Sequence, residues 1–261
     1  MAPVCKLSEN LFKRRLGSGA KQPGLWLTLE SPNATEILAG AGYDWMLLDM
    51  EHTTVDPSQV SAHLRAAAGG TAELAVRVPW NEPVLVKRLL DVGVRTLMFP
   101  FVQSAAEAQA AVASTRYPPH GIRGVSGTMR ANSYARVKDY AQTYRQEQCV
   151  IVQLESPKAI AAIEEIAAVD GVDALFIGPN DLAAAMGLFG KSGAPEVKAV
   201  IADAIVRIKK TGKGAGILNY NIAELRALFK AGFDFIAVNS DTGILARQSE
   251  AILAQVVADD E

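Results

Sequence analysis

Short apolar runs alternate with longer segments of mixed polarity along almost the whole chain. The runs are too short for core helices and nearly free of charge, which is typical of strands buried on both faces of a parallel sheet. They predict eight strands, at residues 24–29, 45–48, 73–78, 96–102, 150–154, 174–177, 216–218 and 235–238.

The segments between these runs predict helices, and Ser31 followed by Pro32 is a typical helix start. After an initial helix at residues 7–16, the predicted helices cover residues 34–41, 57–68, 82–92, 105–116, 158–168, 195–211, 223–231 and 243–257. Each strand is followed by a helix, with no long Pro-rich or Ser-rich linker between the units.

Strict alternation of strand and helix requires a parallel sheet, and eight units in 261 residues match a closed (β/α)8 barrel (TIM barrel). We therefore predict a single barrel domain over residues 1–261. An open, doubly wound sheet is the alternative, but the chain has no GxGxxG motif after its first strand.

Residues 117–148 interrupt the alternation and contain four arginines: Arg123, Arg130, Arg136 and Arg145. Insertions of this length in a compact domain usually carry a function or bind a partner. By its charge, Arg123 is a candidate for recognising a distal carboxylate of a ligand.

Polar and ionisable residues collect at the ends of the predicted strands. The carboxyl ends of barrel strands converge on one mouth, so these residues should be neighbours in space. They are Asp49, Glu51 and His52 after strand two, Arg77 on strand three, Gln153 and Glu155 at the end of strand five, and Asn180 and Asp181 after strand six.

Two of these carboxylates, Glu155 and Asp181, follow neighbouring strands and could share a hard divalent cation such as Mg²⁺ or Mn²⁺. Each could instead cap the helix that it precedes. The Gly178-Pro179 turn would present free backbone N–H groups to a carboxylate or phosphate. Arg77 offers a fixed set of donors for an oxyanion.

His52 is the only one of the three histidines at the mouth end of a predicted strand, and it is the candidate base. A cation, an oxyanion stabiliser and a base suit a reaction through an enolate, in which a metal chelates a 2-keto acid. No lysine occupies these strand ends, so a Schiff-base aldolase is not expected.

The composition narrows the classes of partner. The net charge is −2 and the isoelectric point about 6.0, with scattered Lys and Arg, so nucleic acid is not an expected partner. No apolar run reaches the roughly 18 residues of a membrane span, and no signal peptide is visible, which predicts a soluble cytoplasmic protein without membrane contact. Cys5 and Cys149 have no metal-site spacing and are expected to be reduced thiols.

Several of these motifs together resemble one family. They are Asp49-Met50-Glu51-His52, Val76-Arg77-Val78-Pro79, Tyr117-Pro118-Pro119 with Gly121-Ile122-Arg123-Gly124, Gln153-Leu154-Glu155 and Gly178-Pro179-Asn180-Asp181-Leu182. In this order they resemble the HpcH/HpaI family of class II, pyruvate-dependent aldolases. The segments Asn81-Glu82-Pro83 and 87–93, with 113–119, are most similar to the 2-dehydro-3-deoxyglucarate (5-keto-4-deoxy-D-glucarate) aldolases of that family.

The resemblance implies cleavage of a 4-hydroxy-2-keto diacid to pyruvate and an aldehyde, here tartronate semialdehyde. It implies that His52 is the base and Arg77 stabilises the enolate. It also implies a divalent metal, Mg²⁺ or Mn²⁺, on Glu155 and Asp181, with the pyruvyl part bound by Gln153 and the Asn180-Asp181 turn. Met50 and Asn180 depart from the family pattern, where Gly and Ser or Ala are common, which makes the glucarate-derived substrate less secure.

The resemblance also implies that Asp91 raises the basicity of the catalytic histidine. Asp91 is predicted near the C-terminal end of a helix, which points away from the mouth of its own barrel. We expect either that Asp91 acts in a neighbouring subunit or that Asp49 is the closer partner of His52. The family forms hexamers, two trimers that exchange C-terminal helices, and residues 243–257 could play that part.

Three other readings stay open. The same chemistry could act on 4-hydroxy-2-oxoheptanedioate or on 2-keto-3-deoxyrhamnonate. A phosphosugar barrel would carry a Gly-rich phosphate cradle after strands seven and eight, where this chain has 218–220 and 239–241 without glycine. A non-catalytic barrel that only binds a keto acid or a metal is the third possibility, and it would require that the ionisable residues at the strand ends have no catalytic role.

Overall fold

The computed structural model describes residues 5–257. Eight parallel strands hydrogen-bond in chain order and close into a barrel, because the last strand also pairs with the first. The predicted (β/α)8 fold class is confirmed. The strands are β1 (Gln22–Leu27), β2 (Trp45–Asp49), β3 (Glu73–Arg77), β4 (Thr96–Phe99), β5 (Cys149–Leu154), β6 (Ala174–Ile177), β7 (Gly214–Leu218) and β8 (Phe235–Ser240).

Helices follow every strand. They are α1 (Leu11–Arg15), α2 (Pro32–Ala39), α3 (Pro57–Ala66), α4 (Pro83–Asp91), α5 (Ala105–Thr115), α6 (Tyr140–Glu147), α7 (Pro157–Ala161), α8 (Ile163–Ala167), α9 (Pro179–Ala185), α10 (Pro195–Lys210), α11 (Ile222–Ala231) and α12 (Asp241–Val257). The predicted helix at 158–168 is divided in two at Ala162. No helix was predicted where α6 lies.

Several helices on the mouth side begin in the same way. A side chain before the helix accepts hydrogen bonds from the first turn, and a proline occupies that turn, where its missing N–H costs nothing. The capping residues are Ser31, Asp56, Glu82 and Ser156. These caps fix where each strand-to-helix loop ends, and so limit the freedom of the loops that form the mouth.

Helix α1 closes the other end of the barrel. Its Phe12 is buried, and its ring lies 5.7 Å from the Trp45 ring and 5.2 Å from the Phe235 ring. Trp45 and Phe235 are the first residues of β2 and β8, so Phe12 fills the N-terminal end of the barrel interior. The barrel interior is therefore filled by side chains at this end, and the carboxyl ends of the strands form its mouth.

The insertion at residues 117–148 lies at the closed end. Glu147 of α6 accepts a hydrogen bond from the backbone N–H of Asn10 at 2.5 Å and pairs with Arg14 at 3.0 Å. Both partners belong to the segment around α1, so the insertion is anchored there and not at the mouth of the same chain.

Helix α12 buries little of its surface against the barrel. Of its residues only Asp241 is buried, whereas Leu245, Ile252, Leu253, Val256 and Val257 are exposed by half or more. Among residues 5–257, no helix is long and apolar enough to cross a membrane.

Candidate active site

Strand alternation aims three polar side chains into the barrel interior at its mouth. Side chains at every second position of a strand share a face. Buried Trp45 and Leu47 therefore place Asp49 inside the barrel, Ala75 places Arg77 there, and Ile151 places Gln153 there. Asp49 and Arg77 are also direct partners in the register between β2 and β3.

Arg77 and Asp49 form a buried, two-pronged ion pair. The Nε atom of Arg77 donates to Oδ1 of Asp49 at 2.9 Å, and a terminal nitrogen donates to Oδ2 at 2.5 Å. The second terminal nitrogen lies 2.7 Å from Oε2 of Glu51. Trp26 completes the group, since its indole N–H donates to Asp49 at 3.1 Å and its ring lies 4.9 Å below the guanidinium.

These contacts keep the pair charged. Burial alone would raise the pKa of Asp49, but the hydrogen bonds and charge of Arg77 outweigh it, and that pKa lies below its ordinary value. Burial would lower the pKa of Arg77, but Asp49 and Glu51 raise it. Glu51 differs, because burial raises its pKa despite the nearby Arg77. The mouth thus holds a permanent guanidinium whose position is fixed by carboxylates.

Glu155 is a buried carboxyl group whose surroundings oppose its charge. It is 3 % exposed, and burial, with the charges of Asp181 and Glu51, raises its pKa to about 7. One oxygen accepts the backbone N–H of Phe101 at 2.8 Å, and the other is 3.4 Å from the amide nitrogen of Gln153. A side chain on Gly178 would press within 2.6 Å of the carboxylate, so glycine is needed at that turn.

A divalent cation fits this group of carboxylates. Burial raises the pKa of Glu51 and of Glu155, the charge of Asp181 adds to both shifts, and a cation beside these two groups would relieve the cost of their ionisation. Asp181 is exposed in the first turn of α9, beside Asn180. Within residues 5–257 no set of three His, Cys, Asp or Glu side chains has metal-ligand geometry. Glu155 and Asp181 are therefore a pair of candidate ligands and not part of a larger cluster of His, Cys, Asp or Glu side chains among these residues.

His52 lies on the loop after β2, and its side chain is exposed at the mouth. The loop is held at both ends. Asp49 accepts the backbone N–H of Glu51 at 2.9 Å and that of His52 at 3.4 Å, while the Glu30 carboxylate accepts the backbone N–H of Thr54 at 2.8 Å. Asp49 thus orients the loop through its backbone, and its oxygens are already engaged with Arg77 and Trp26.

Asp91 lies away from this site. It is the last residue of α4, and its carboxylate accepts a hydrogen bond from Arg123 at 2.8 Å. The assignment of Arg123 to a distal substrate carboxylate is wrong for the mouth of its own chain. The Arg123 side chain is fully buried, stacked 4.5 Å from the centre of the Tyr117 ring, and committed to Asp91.

Two mouth residues carry roles that the sequence pattern did not reveal. Trp26 was counted only as an apolar strand residue, although its place near the strand end and its N–H group were visible signals. Tyr220 follows β7, and the charges of Arg77 and Asp49 reach its phenol. No pattern in the sequence indicates that proximity.

Comparisons with known proteins point to one family. The model of the HpcH/HpaI aldolase/citrate lyase family matches residues 22–247. The hydroxypyruvate/pyruvate aldolase of Sagittula stellata is 48 % identical over 249 residues, covering 94 % of this chain and 98 % of the relative. The 4-hydroxy-2-oxo-heptane-1,7-dioate aldolase of Shigella sonnei is 47 % identical over 248 residues, covering 95 % of each.

A solved structure is also similar along almost its whole length. It is the crystal structure of an HpcH/HpaI aldolase/citrate lyase family protein from Burkholderia cenocepacia J2315, with 43 % identity, a TM-score of 0.92, and coverage of 95 % of this chain and 99 % of that one. With the family model matching most of the barrel and relatives close to half identical, the chain belongs to the HpcH/HpaI aldolase/citrate lyase family and is a carbon–carbon lyase.

Proposed function

We propose that this chain is a class II pyruvate aldolase that cleaves a 4-hydroxy-2-keto acid to pyruvate and an aldehyde through the enolate of pyruvate. One observation carries the proposal. Glu155 is a buried carboxyl group whose ionisation is opposed by its neighbours. At the same mouth lies Arg77, whose guanidinium is held in place by two carboxylates. The first suits a cation and the second suits a developing oxyanion.

A divalent cation such as Mg²⁺ or Mn²⁺, held by Glu155 and Asp181, would supply electrophilic polarisation of the keto group. Arg77 would donate a hydrogen bond to the enolate oxygen, and its pairing with Asp49 prevents it from moving away as charge develops. Gln153, whose side-chain oxygen is buried without a hydrogen-bond partner among the described residues, and the Asn180-Asp181 turn would bind the pyruvyl part.

His52 is the proposed base. It would remove the proton of the C4 hydroxyl as the C3–C4 bond breaks, which forms the aldehyde, and the enolate would then take a proton at C3 to give pyruvate. Asp91 would raise the basicity of His52 from a neighbouring subunit, since within the described chain its carboxylate pairs with Arg123. An oligomer is therefore part of the proposal, and the exposed apolar residues of α12 would contribute to its interface.

The identity of the substrate has support from two directions. The motifs favour 5-keto-4-deoxy-D-glucarate. The relatives carry the names of hydroxypyruvate, pyruvate and 4-hydroxy-2-oxo-heptane-1,7-dioate aldolases, which favours donors and acceptors of those kinds. All share the 2-keto acid half, so the proposed roles of Arg77, Glu155 and Asp181 are the same for each.

Pyruvate release tests the proposal. The enzyme is incubated with racemic 5-keto-4-deoxyglucarate and, separately, with 4-hydroxy-2-oxoheptanedioate, before and after treatment with EDTA, and then with Mg²⁺ or Mn²⁺ added back. We expect cleavage of at least one of the two, lost with EDTA and restored by metal. Cleavage that EDTA leaves unchanged would contradict the class II mechanism.

A further inference from the structure

The loop that carries His52 is tied to the loop after β1 by a single carboxylate, that of Glu30. Its two oxygens accept separate hydrogen bonds from Thr54, two residues after His52: Oε1 from the backbone N–H at 2.8 Å and Oε2 from the hydroxyl at 2.6 Å. Among residues 5–257, no other group hydrogen-bonds to that N–H or that hydroxyl. We call this contact the Glu30–Thr54 clamp.

The backbone of Glu30 has an unfavourable conformation. Its φ of 56° lies in the left-handed region, which glycine adopts readily and a residue with a side chain does not. The chain is fixed on both sides of this residue. The buried Asp241 carboxylate accepts the backbone N–H of Thr28 at 2.8 Å and that of Leu29 at 3.0 Å, and Ser31 caps α2. Glycine would make the same turn without strain, so the glutamate indicates a use for its side chain.

The carboxylate of Glu30 is charged when it makes these contacts. The hydrogen bonds from the hydroxyl and the backbone N–H of Thr54 hold the pKa of Glu30 below its ordinary value. Hydrogen bonds to an ionised carboxylate are shorter and stronger than those between neutral groups. An ionised carboxylate also has no proton to donate, so both bonds run from Thr54 to Glu30 and fix the position of Thr54 relative to the end of β1.

We propose, building on the aldolase function above, that Glu30 is a positioning residue for His52, and that the Glu30–Thr54 clamp keeps the proposed base within reach of the C4 hydroxyl. Asp49 fixes the loop through the backbone N–H groups of Glu51 and His52, and the clamp fixes it beyond His52. Without the clamp the loop can move about its remaining anchor, and a displacement of about 1 Å can cost about a hundredfold in rate. The clamp lies within one chain, so its role does not depend on the groups that a neighbouring subunit brings to the mouth.

The first experiment separates the side chain of Glu30 from its strained backbone. Glu30→Ala and Glu30→Gly both remove the clamp, but only glycine relieves the left-handed conformation, so Glu30→Gly should unfold at a higher temperature than Glu30→Ala. With the metal-loaded enzyme and a substrate that the wild type cleaves, both should lower kcat by about tenfold and leave KM nearly unchanged, since Arg77 and Glu155 still bind the pyruvyl half. A kcat equal to that of the wild type in both variants would overturn the proposal.

The second experiment tests whether the effect passes through Thr54. In Glu30→Gln the amide can still accept the N–H of Thr54 and can donate to its hydroxyl, so this variant should keep most of kcat. Thr54→Val removes one of the two hydrogen bonds and should lower kcat by about threefold. Combined with Glu30→Ala it should cause no further loss, because the clamp is already absent. Fully additive losses would show that the two residues act separately and would contradict the clamp.

Glu82→Ala is the matched control. Glu82 lies on another mouth-side loop, and its carboxylate also accepts two hydrogen bonds, from the backbone N–H groups of Val84 and Leu85. Its loss should lower the unfolding temperature and leave kcat near that of the wild type. Hydrogen exchange of the segment 50–56, followed by mass spectrometry, adds a measurement that does not depend on catalysis. Exchange should be faster in Glu30→Ala and unchanged in Glu82→Ala. Equal losses of kcat in these two variants, or equal exchange in both, would contradict the proposal.

His52→Ala, measured beside these variants, separates this proposal from the aldolase function. If the wild type cleaves its substrate, His52→Ala does not, and Glu30→Ala cleaves as fast as the wild type, the positioning role of Glu30 alone is overturned. If His52→Ala is as active as the wild type, the assignment of the base fails and the positioning role fails with it. Absence of cleavage by the metal-loaded wild type would overturn the aldolase function itself.

Discussion

Glu155 illustrates how a single residue can be costly for the fold and useful for the site. Burial removes its carboxyl group from water, and two neighbouring carboxylates add repulsion, so its pKa rises to about 7. A lone carboxyl group at an exposed helix start would have an ordinary pKa. The destabilised charge is the physical reason why this position suits a cation.

The pH dependence of stability follows from the sign of that shift. In the unfolded chain Glu155 would ionise near its ordinary pKa of 4.5, but in the folded protein it holds its proton up to about pH 7. The folded state therefore binds more protons in this interval, and the stability of the metal-free protein should fall as the pH rises from about 4.5 through 7.

Thermal unfolding of EDTA-treated protein between pH 5 and 8 measures this effect. The unfolding temperature of the wild type should decrease with pH relative to that of Glu155→Gln, and Mg²⁺ at pH 8 should raise it in the wild type only. Parallel pH curves for the two proteins would show that Glu155 has no shifted pKa.

At the scale of elements, the strands were predictable and some helices were not. Apolar runs predicted all eight strands with ends within three residues of those observed, because a strand buried on both faces leaves a continuous signal. Helix α6 buries only Tyr144 and Glu147, so it has no apolar stripe to recognise. The break at Ala162 has neither Pro nor Gly to mark it.

The site was predictable only in part for a related reason. Strand ends identified Glu51, His52, Arg77, Glu155 and Asp181 as mouth residues, since position along a barrel strand determines the end at which a side chain lies. The charge of Arg123 suggested a mouth residue, but the path of a long loop is not encoded in local periodicity. The pairing of Asp49 with Arg77 depends on the register between strands, which the sequence alone does not specify.

Helix α12 yields a prediction about assembly. Its exposed Leu253 should contact another subunit, because so many apolar side chains on one helix are costly to leave in water. Leu253→Glu should shift the protein toward smaller species in light scattering across a range of concentrations. Gln255→Glu, which adds the same charge to an already polar exposed position, is the control. A monomeric wild type, or equal effects of both changes, would contradict this role of α12.

At the scale of the whole molecule, the two ends of the barrel hold different groups of residues. The closed end contains Phe12, the insertion and the Asp91–Arg123 pair, whereas the mouth contains the proposed chemistry. A carboxylate at the closed end can assist a histidine at the mouth only if subunits are arranged so that one supplies Asp91 to the other. The proposed catalytic unit is then larger than one chain.

Mixing variants tests this arrangement. Asp91→Asn and His52→Ala should each lower kcat by about a hundredfold or more, since each removes part of the proposed acid–base pair. When the two are dissociated and reassembled together, activity should exceed that of either alone, because some sites receive an intact His52 and an intact Asp91 from different chains.

Mixing His52→Ala with Glu155→Gln is the matched control. Both residues lie at the mouth of one barrel, so every site in the hybrids keeps one defect and no recovery is expected. Recovery in the control, or none in the test pair, would show that Asp91 does not act across a subunit boundary.

The position of Trp26 has a further consequence. Its indole lies against the Arg77 guanidinium and donates to Asp49, while Trp45 is enclosed at the far end and Trp80 stacks with Phe101 in an exposed position. A ligand oxygen that accepts a hydrogen bond from Arg77 would alter the electric field at the Trp26 ring, and with it the wavelength and intensity of the ring's fluorescence. We therefore expect the fluorescence of Trp26 to report the binding of a keto acid at the proposed site in real time, without a label or a coupled assay.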